Sequence, residues 1–290
     1  MKQDHPRLSI RRLCALFGKT RHAYYDLCWR KQDTLLKDEV ILQEVNEIRT
    51  NLPRVGTRKL HHLLNEKLGD HSLQVGRDYL FDLLNENRLL IRTRRRKAIT
   101  TDSRHWMRKY ANLASQVEVC RPEQLWVSDI TYIRLHHEFA YLSLITDAYS
   151  HKIMGFGLRK DLSALGCLEA LNMALANRAY NYHALIHHSD RGSQYCSKEY
   201  VQLLTDHKIA ISMTENGDPY ENALAERLNG ILKTEFNLYA TLSSFEEAQR
   251  TVAKSINSYN NLRPHDSCDR LTPQQAHLIN GKLKKRWKTY

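Results

Sequence analysis

The strongest constraint on the fold of this chain is a change of hydrophobic period near residue 124. Three β-branched and aromatic runs, LWVSDITYIRL, EFAYLSLITDAYS and KIMGFGLR, follow one another with only short connections. Consecutive strands joined so tightly form an antiparallel meander, because a parallel return needs a crossover of a dozen residues or more. The pattern then alternates. SALGCLEALNMALANRA reads as a helix, ALIHHSD as a buried strand, SKEYVQLLTDHK as a helix and IAISMTE as a strand. ENALAERLNGILKTEF and SFEEAQRTVAKSINSYN close the chain as helices at 3.6-residue spacing. Residues 124–290 are thus expected to form an α/β unit: a mixed five-stranded sheet covered by helices. No apolar run approaches the roughly 18 residues needed to cross a bilayer, so no membrane partner is expected.

Three carboxylates sit at distinctive places in this pattern. Asp129 interrupts the first strand. Asp190 ends the HHSD strand just before the polar turn RGSQY. Glu226 lies on the ENALAERLNGILKTEF helix, with thirty-five residues, 191–225, between it and Asp190. The two strands are expected to pair side by side, with Asp190 at a strand end where open α/β sheets bind ligands. Carboxylates from two strands and a helix suit a hard divalent cation such as Mg²⁺. Paired ions of that kind promote phosphodiester displacement. On the helix, Asn222, Glu226, Asn229 and Lys233 share one face, while Leu224, Leu228 and Ile231 share the other and are expected in the core. Lys233 is placed to reach a phosphate near the metals. Asp147, also at a strand end, lacks the polar turn that follows Asp190 and is assigned to turn structure. Asp218, in the Gly217–Pro219 loop, is assigned to that loop. His183, His187, His188 and Cys196 lack paired zinc-ligand spacing. His188 is expected to orient Asp190 or approach DNA.

The first third of the chain is helical and basic. Of 44 Lys+Arg and 32 Asp+Glu in the whole chain, residues 1–110 hold 24 and 13, leaving 20 and 19 for the rest. The excess positive charge therefore sits at the N-terminal end, as in a nucleic-acid-binding front end. Residues 1–34 read as a small helix-turn-helix. Ser9 caps a helix with Ile10, Leu13, Cys14 and Phe17 on its apolar side, Gly18 ends it, and Thr20 caps a second helix carrying Arg21, Tyr24 and Tyr25. At least one of these tyrosines is expected in a mini-core. Residues 35–97 read as a second helical unit. Its first helix stops near Pro53, Thr57 caps the next, and Arg58, Lys59 and Arg77 are its candidate DNA contacts. Arg92, Arg94, Arg95, Arg96 and Lys97 make a dense basic run suited to phosphates. Residues 98–123 form a polar link with Trp106 and Tyr110 as anchors. The six cysteines form no CxxC pair, and a reducing cytoplasm fits them.

The strand and helix order resembles an RNase H-like core. WVSDITYI, HHSDRGSQY and DPYENALAERLNGILKTE resemble the catalytic blocks of DDE transposases in the retroviral-integrase superfamily. Within it, the match is to the bacterial insertion-sequence family whose transposase is split over two frames, OrfA and OrfB (the IS-three family). LCALFGKTRHAYYDL is similar to the start of its OrfB product, VGTRKLHHLLNE and VGRDYLFDLLNENRLL to its second helix-turn-helix block, and SYNNLRPHDSCDRLTPQQAH to its C-terminal signature. Ser128 stands where Thr is common, and Arg227 where a small residue is common. The resemblance implies Asp129, Asp190 and Glu226 as catalytic ligands of two Mg²⁺ ions, with Mn²⁺ able to substitute. It also implies cleavage and joining of double-stranded DNA at terminal inverted repeats and a target. A homo-oligomer on that DNA, the upstream OrfA product as partner, and a cytoplasmic, nucleoid-associated bacterial setting are further implications. Two other readings stay open: a nuclease on the same fold that cannot join, and a recruited DNA-binding protein that no longer uses its carboxylates. The chain shows no sustained heptad repeat of its own.

Overall fold

The computed structural model describes residues 7–69, 73–91, 107–215, 222–284 and 286. It contains two compact units, Met1–Thr50 with Leu60–Leu90, and Asn51–Lys59 with Ile91–Tyr290.

The first unit is helical. Ser9 caps α1 (Ile10–Leu16) by accepting the Arg12 N–H, and Gly18 follows in the left-handed region at φ 62°. Thr20 Oγ1 accepts the Ala23 N–H at the start of α2. That helix then runs unbroken over Arg21–Asn51, across residue 34, where a boundary between two helical units was expected. RKQDTLLKDE permits this continuity, because it contains no Gly or Pro to stop a helix. Neither Tyr24 nor Tyr25 enters a core; both stay exposed, edge to face at 5.4 Å. The core lies further on, where Ile41, Val45 and Ile48 of α2 are buried. Leu60, Leu64 and Leu68 of α3 (Thr57–Gly69) and Leu80, Leu83 and Leu84 of α4 (Arg77–Glu86) are buried too. Thr57 is the first residue of α3 rather than its cap.

In the second unit, Tyr110 packs on the core as expected of an anchor, and Leu113 N–H bonds Ser212 Oγ at 2.9 Å. Trp106 and the run from Arg92 to Lys97 lie outside the described residues. The sheet comprises β1 (Leu125–Arg134), β2 (Phe139–Asp147), β3 (Ile153–Arg159), β4 (Ile186–Ser189) and β5 (Ala210–Met213), in the order β3-β2-β1-β4-β5. β1–β2 and β2–β3 are antiparallel, whereas β1–β4 and β4–β5 are parallel. This is the mixed five-stranded order of an RNase H-like core. α5 (Ala164–Ala176) and α6 (Lys198–Asp206) provide the parallel crossovers. Trp126 faces a core that includes Ala170, Leu171, Tyr200 and Leu204 from these two helices. α5 approaches β3 closely because Gly155 and Gly157 have no side chain. A Cβ on Gly155 would lie 2.0 Å from Ala170 O, and one on Gly157 2.2 Å from Gly166 O.

Opposite parity sends Leu125 and Val127 into a second cluster with Ala225 of α7 (Ala223–Glu235). α8 (Phe245–Leu262) and α9 (Pro273–His277) complete the unit. No helix among the described residues is long and apolar enough to cross a membrane.

Candidate active site

The parallel register brings two of the three carboxylates side by side. Val127 pairs with His188, so two residues further along each strand Asp129 meets the level of Asp190. Asp129 shares the parity of Leu125 and Val127, and Asp190 that of Ile186. All three apolar residues belong to the cluster that α7 closes. Both carboxylates are therefore directed to the α7 side of adjacent strands.

α7 is tied to β1 at two points on the expected face. Asn222 Nδ2 donates to Ser128 O at 3.1 Å, and Asn229 Nδ2 donates to Asp129 Oδ2 at 2.6 Å. Glu226 lies between them and is exposed. Lys233, on the same stripe, holds its ammonium 4.1 Å from the centre of the Tyr132 ring. Burial lowers its pKa, and the charge of Asp129 opposes that shift. On the other face Leu228 is buried, but Leu224 and Ile231 are only half-buried, and the core stripe is Ala225, Leu228 and Leu232. The remaining contacts are local. Asp129 Oδ1 accepts the Ile130 N–H at 2.9 Å, and Asp190 Oδ1 accepts the Gly192 N–H at 3.0 Å in the turn that follows the strand.

The acids sense one another. Burial, and after it the charge of Asp190, pushes Asp129 up to about 7, and Glu226 adds in the same direction. Mutual repulsion of this kind is what a bound divalent cation relieves. Asn229 Oδ1 and Asn222 Oδ1 are buried without a hydrogen-bond partner among the described residues, leaving further hard oxygen donors nearby. The donor set therefore fits a hard divalent cation. Among the described residues, no three His, Cys, Asp or Glu side chains already stand as a closed metal cage.

Other sequence candidates fall elsewhere. His188 is buried, and its Nδ1 lies 2.8 Å from Ser212 Oγ on neighbouring β5, so it is a sheet-interior residue rather than one presented to DNA. Lys59 is taken up internally. Its Nζ pairs with Glu235 at 3.1 Å beside buried Arg263, which bonds the same carboxylate at 2.6 and 2.8 Å. Arg21 and Arg58 are exposed, and Arg77 is exposed with Asp78 at 2.8 Å. Asp218 lies outside the described residues. Asp147 is fully buried and accepts from Glu123 N, Ser150 N and Ser150 Oγ at 2.7, 2.8 and 2.7 Å, a turn-organising role as expected. Two residues escaped the sequence reading. Asn229 was placed on the correct face but given no role, and its spacing of one turn from Glu226 was the available signal. Glu123 is buried and accepts the Ala179 and Tyr180 N–H groups at 2.7 and 2.9 Å, for which the sequence carries no pattern.

Residues 120–219 match the integrase core domain family, and residues 207–273 match a second integrase core domain family. The chain is 33% identical over 271 residues to the insertion element IS600 uncharacterized 31 kDa protein of Shigella sonnei, covering 90% of this chain and 96% of that protein. It is 29% identical over 242 residues to the transposase for insertion sequence element IS629 of Shigella sonnei, covering 83% and 79%. Among solved structures, the HTLV-2 integrase catalytic core domain in complex with magnesium is similar at 21% identity and a TM-score of 0.44, over 54% of this chain and 97% of that one. Near-full-length likeness to an insertion-element protein and integrase core matches across the sheet and α7 lead to one conclusion: the chain belongs to the IS-three family of insertion-sequence transposases, within the DDE and retroviral-integrase superfamily.

Proposed function

We propose that Asp129, Asp190 and Glu226 are the catalytic carboxylates with which this transposase cleaves DNA at the terminal inverted repeats of its element and joins the freed end to a target. The observation that carries this reading is the meeting of Asp129 and Asp190 at one level of adjacent parallel strands, under a helix that brings Glu226. Asp129 stands within β1, and Asp190 follows the end of β4 directly, at a neighbouring level. Glu226 completes the set from the exposed face of α7. These residues would hold two Mg²⁺ ions, with Mn²⁺ able to substitute, and the ions would supply activation of the attacking oxygen and stabilisation of the leaving one. Asn229 keeps the Asp129 carboxylate turned toward α7. Lys233 offers a flexible ammonium to a phosphate of the bound strand. Water is the first nucleophile and the liberated 3′-hydroxyl the second, so no covalent protein intermediate is needed.

The basic N-terminal region supports end recognition, with Arg21, Arg58, Arg77 and the run from Arg92 to Lys97 as phosphate contacts. Two DNA ends must meet in one complex, which supports assembly of more than one copy on DNA. The upstream OrfA product is the expected helper.

The test uses Asp129→Asn, Asp190→Asn and Glu226→Gln in the full chain with labelled element ends. Each should lose strand cleavage and joining while still retarding end DNA. Near-wild-type cleavage by any of the three would remove that residue from the site. Cleavage without joining of a supplied 3′-hydroxyl end would instead identify a nuclease, and no cleavage by the unaltered chain with Mg²⁺ would favour a non-catalytic DNA-binding protein.

A further inference from the structure

Among the described residues of its own unit, the first half of α2 is flanked by little more than α1. Across residues 21–37 every residue is exposed except Asp26, which is half-covered. That is about 25 Å of helix at 1.5 Å per residue, and a helix of this length is marginal in water without a packed face. The second half is anchored through Ile41, Val45 and Ile48.

Tyr25, Trp29, Leu36 and Val40 are exposed by 40, 65, 57 and 41%. At 3.6 residues per turn they fall within a sector of about 60°, roughly opposite the anchored residues. The stripe has an internal symmetry: positions 25 and 40, and 29 and 36, are equidistant from the midpoint between Gln32 and Asp33. Turning the helix end for end lays the stripe upon itself. The charges follow the same symmetry. Residues 21–31 carry three Lys+Arg and one Asp, while residues 33–40 carry three Asp+Glu and one Lys. Lys67 already pairs with Glu44 and Glu47, and the Lys37–Asp33 pair lies wholly within the acidic half, so it leaves that half's net charge unchanged.

We propose that α2 pairs two copies of this chain in antiparallel fashion through Tyr25, Trp29, Leu36 and Val40, in the absence of DNA. A two-fold axis at residues 32–33 sets Trp29 against Leu36 of the partner subunit. The basic half of each helix then lies along the acidic half of the other. Such an isologous interface closes as a dimer. Two aromatic anchors per copy supply most of its strength, and its small area places it at the weak end of specific interfaces. This surface is separate from the carboxylate site, so it stands or falls independently of the proposed chemistry.

Sedimentation of the full chain without DNA, at tens of micromolar protein, tests it. The unaltered chain should form a dimer. Trp29→Glu and Leu36→Lys, each at an exposed position, should weaken association by about tenfold or more while the helical circular dichroism is retained. Combining both in one chain should recover association relative to either single variant, because antiparallel pairing sets position 29 against position 36. Parallel pairing would set like charges together and leave the double variant weaker than either single one, which overturns the proposed arrangement. A monomeric unaltered chain, or a dimer indifferent to Trp29→Glu, overturns the interface itself. A monomer whose DNA binding falls with Trp29→Glu would assign the stripe to nucleic acid instead.

Discussion

His187 shows how one buried residue couples the sheet to pH. Its Nε2 lies 2.9 Å from the Tyr200 hydroxyl, and burial lowers its pKa to about 3. A histidine whose folded pKa is depressed contributes stability above its unfolded value near 6.5 and loses it as pH falls toward the folded one. Chemical unfolding should therefore show stability dropping by up to a few kcal/mol between about pH 6.5 and 4. The His187→Gln variant should start less stable at neutral pH and fall less steeply over the same range; parallel slopes would assign the acid sensitivity elsewhere. Asp147 is the complementary case. Its buried carboxylate accepts three hydrogen bonds, so Asp147→Asn should cost on the order of 2–3 kcal/mol, read from denaturant unfolding. A stable Asp147→Asn chain that had lost only cleavage would move this residue into the active site.

At the level of elements, the docking of α5 on β3 and of α7 on β1 governs how the site is held. The first depends on two missing side chains. Gly157→Ala would force a Cβ to 2.2 Å from a helix carbonyl, and backbone cannot yield as a flexible side chain does. The expected loss is about 1–3 kcal/mol or more, read as a lower thermal midpoint; an unchanged midpoint would mean that α5 shifts freely. The second depends on polar contacts. Lys233→Ala removes an ammonium from above the Tyr132 ring and from the field of Asp129. Strand transfer should fall while the fold persists, and Lys233→Arg should recover part of the loss if charge is what matters. Unfolding by Lys233→Ala would make its contact with Tyr132 the main role.

For the whole molecule, the uneven charge is the guide. With 24 of 44 basic residues in the first 110, DNA affinity should fall steeply with salt, at a log–log slope of about −0.9 per phosphate neutralised. Replacing Arg94, Arg95 and Arg96 by Ala in the full chain should flatten that slope by up to about 3 units. An unaltered slope would make the run a bystander.

The antiparallel meander, the helix alternation and the element that carries each of the three acids could be read directly from the chain, because each depends on local period and on residue chemistry. Asp129 in a strand, Asp190 before a turn and Glu226 on a helix face are all statements about neighbours in sequence. The remaining features required the third dimension. Asn229 became a partner of Asp129 only when α7 crossed β1, since residues 129 and 229 are a hundred positions apart. His188 and Lys59 looked available for DNA, but His188 faces Ser212 on the next strand and Lys59 meets Glu235. Residue type cannot distinguish a free cation from one already paired at long range. The unbroken α2 arose in the same way. A charged stretch without breakers permits a boundary or a continuous helix, and which one forms depends on the anchoring of Ile41, Val45 and Ile48 against the rest of their unit.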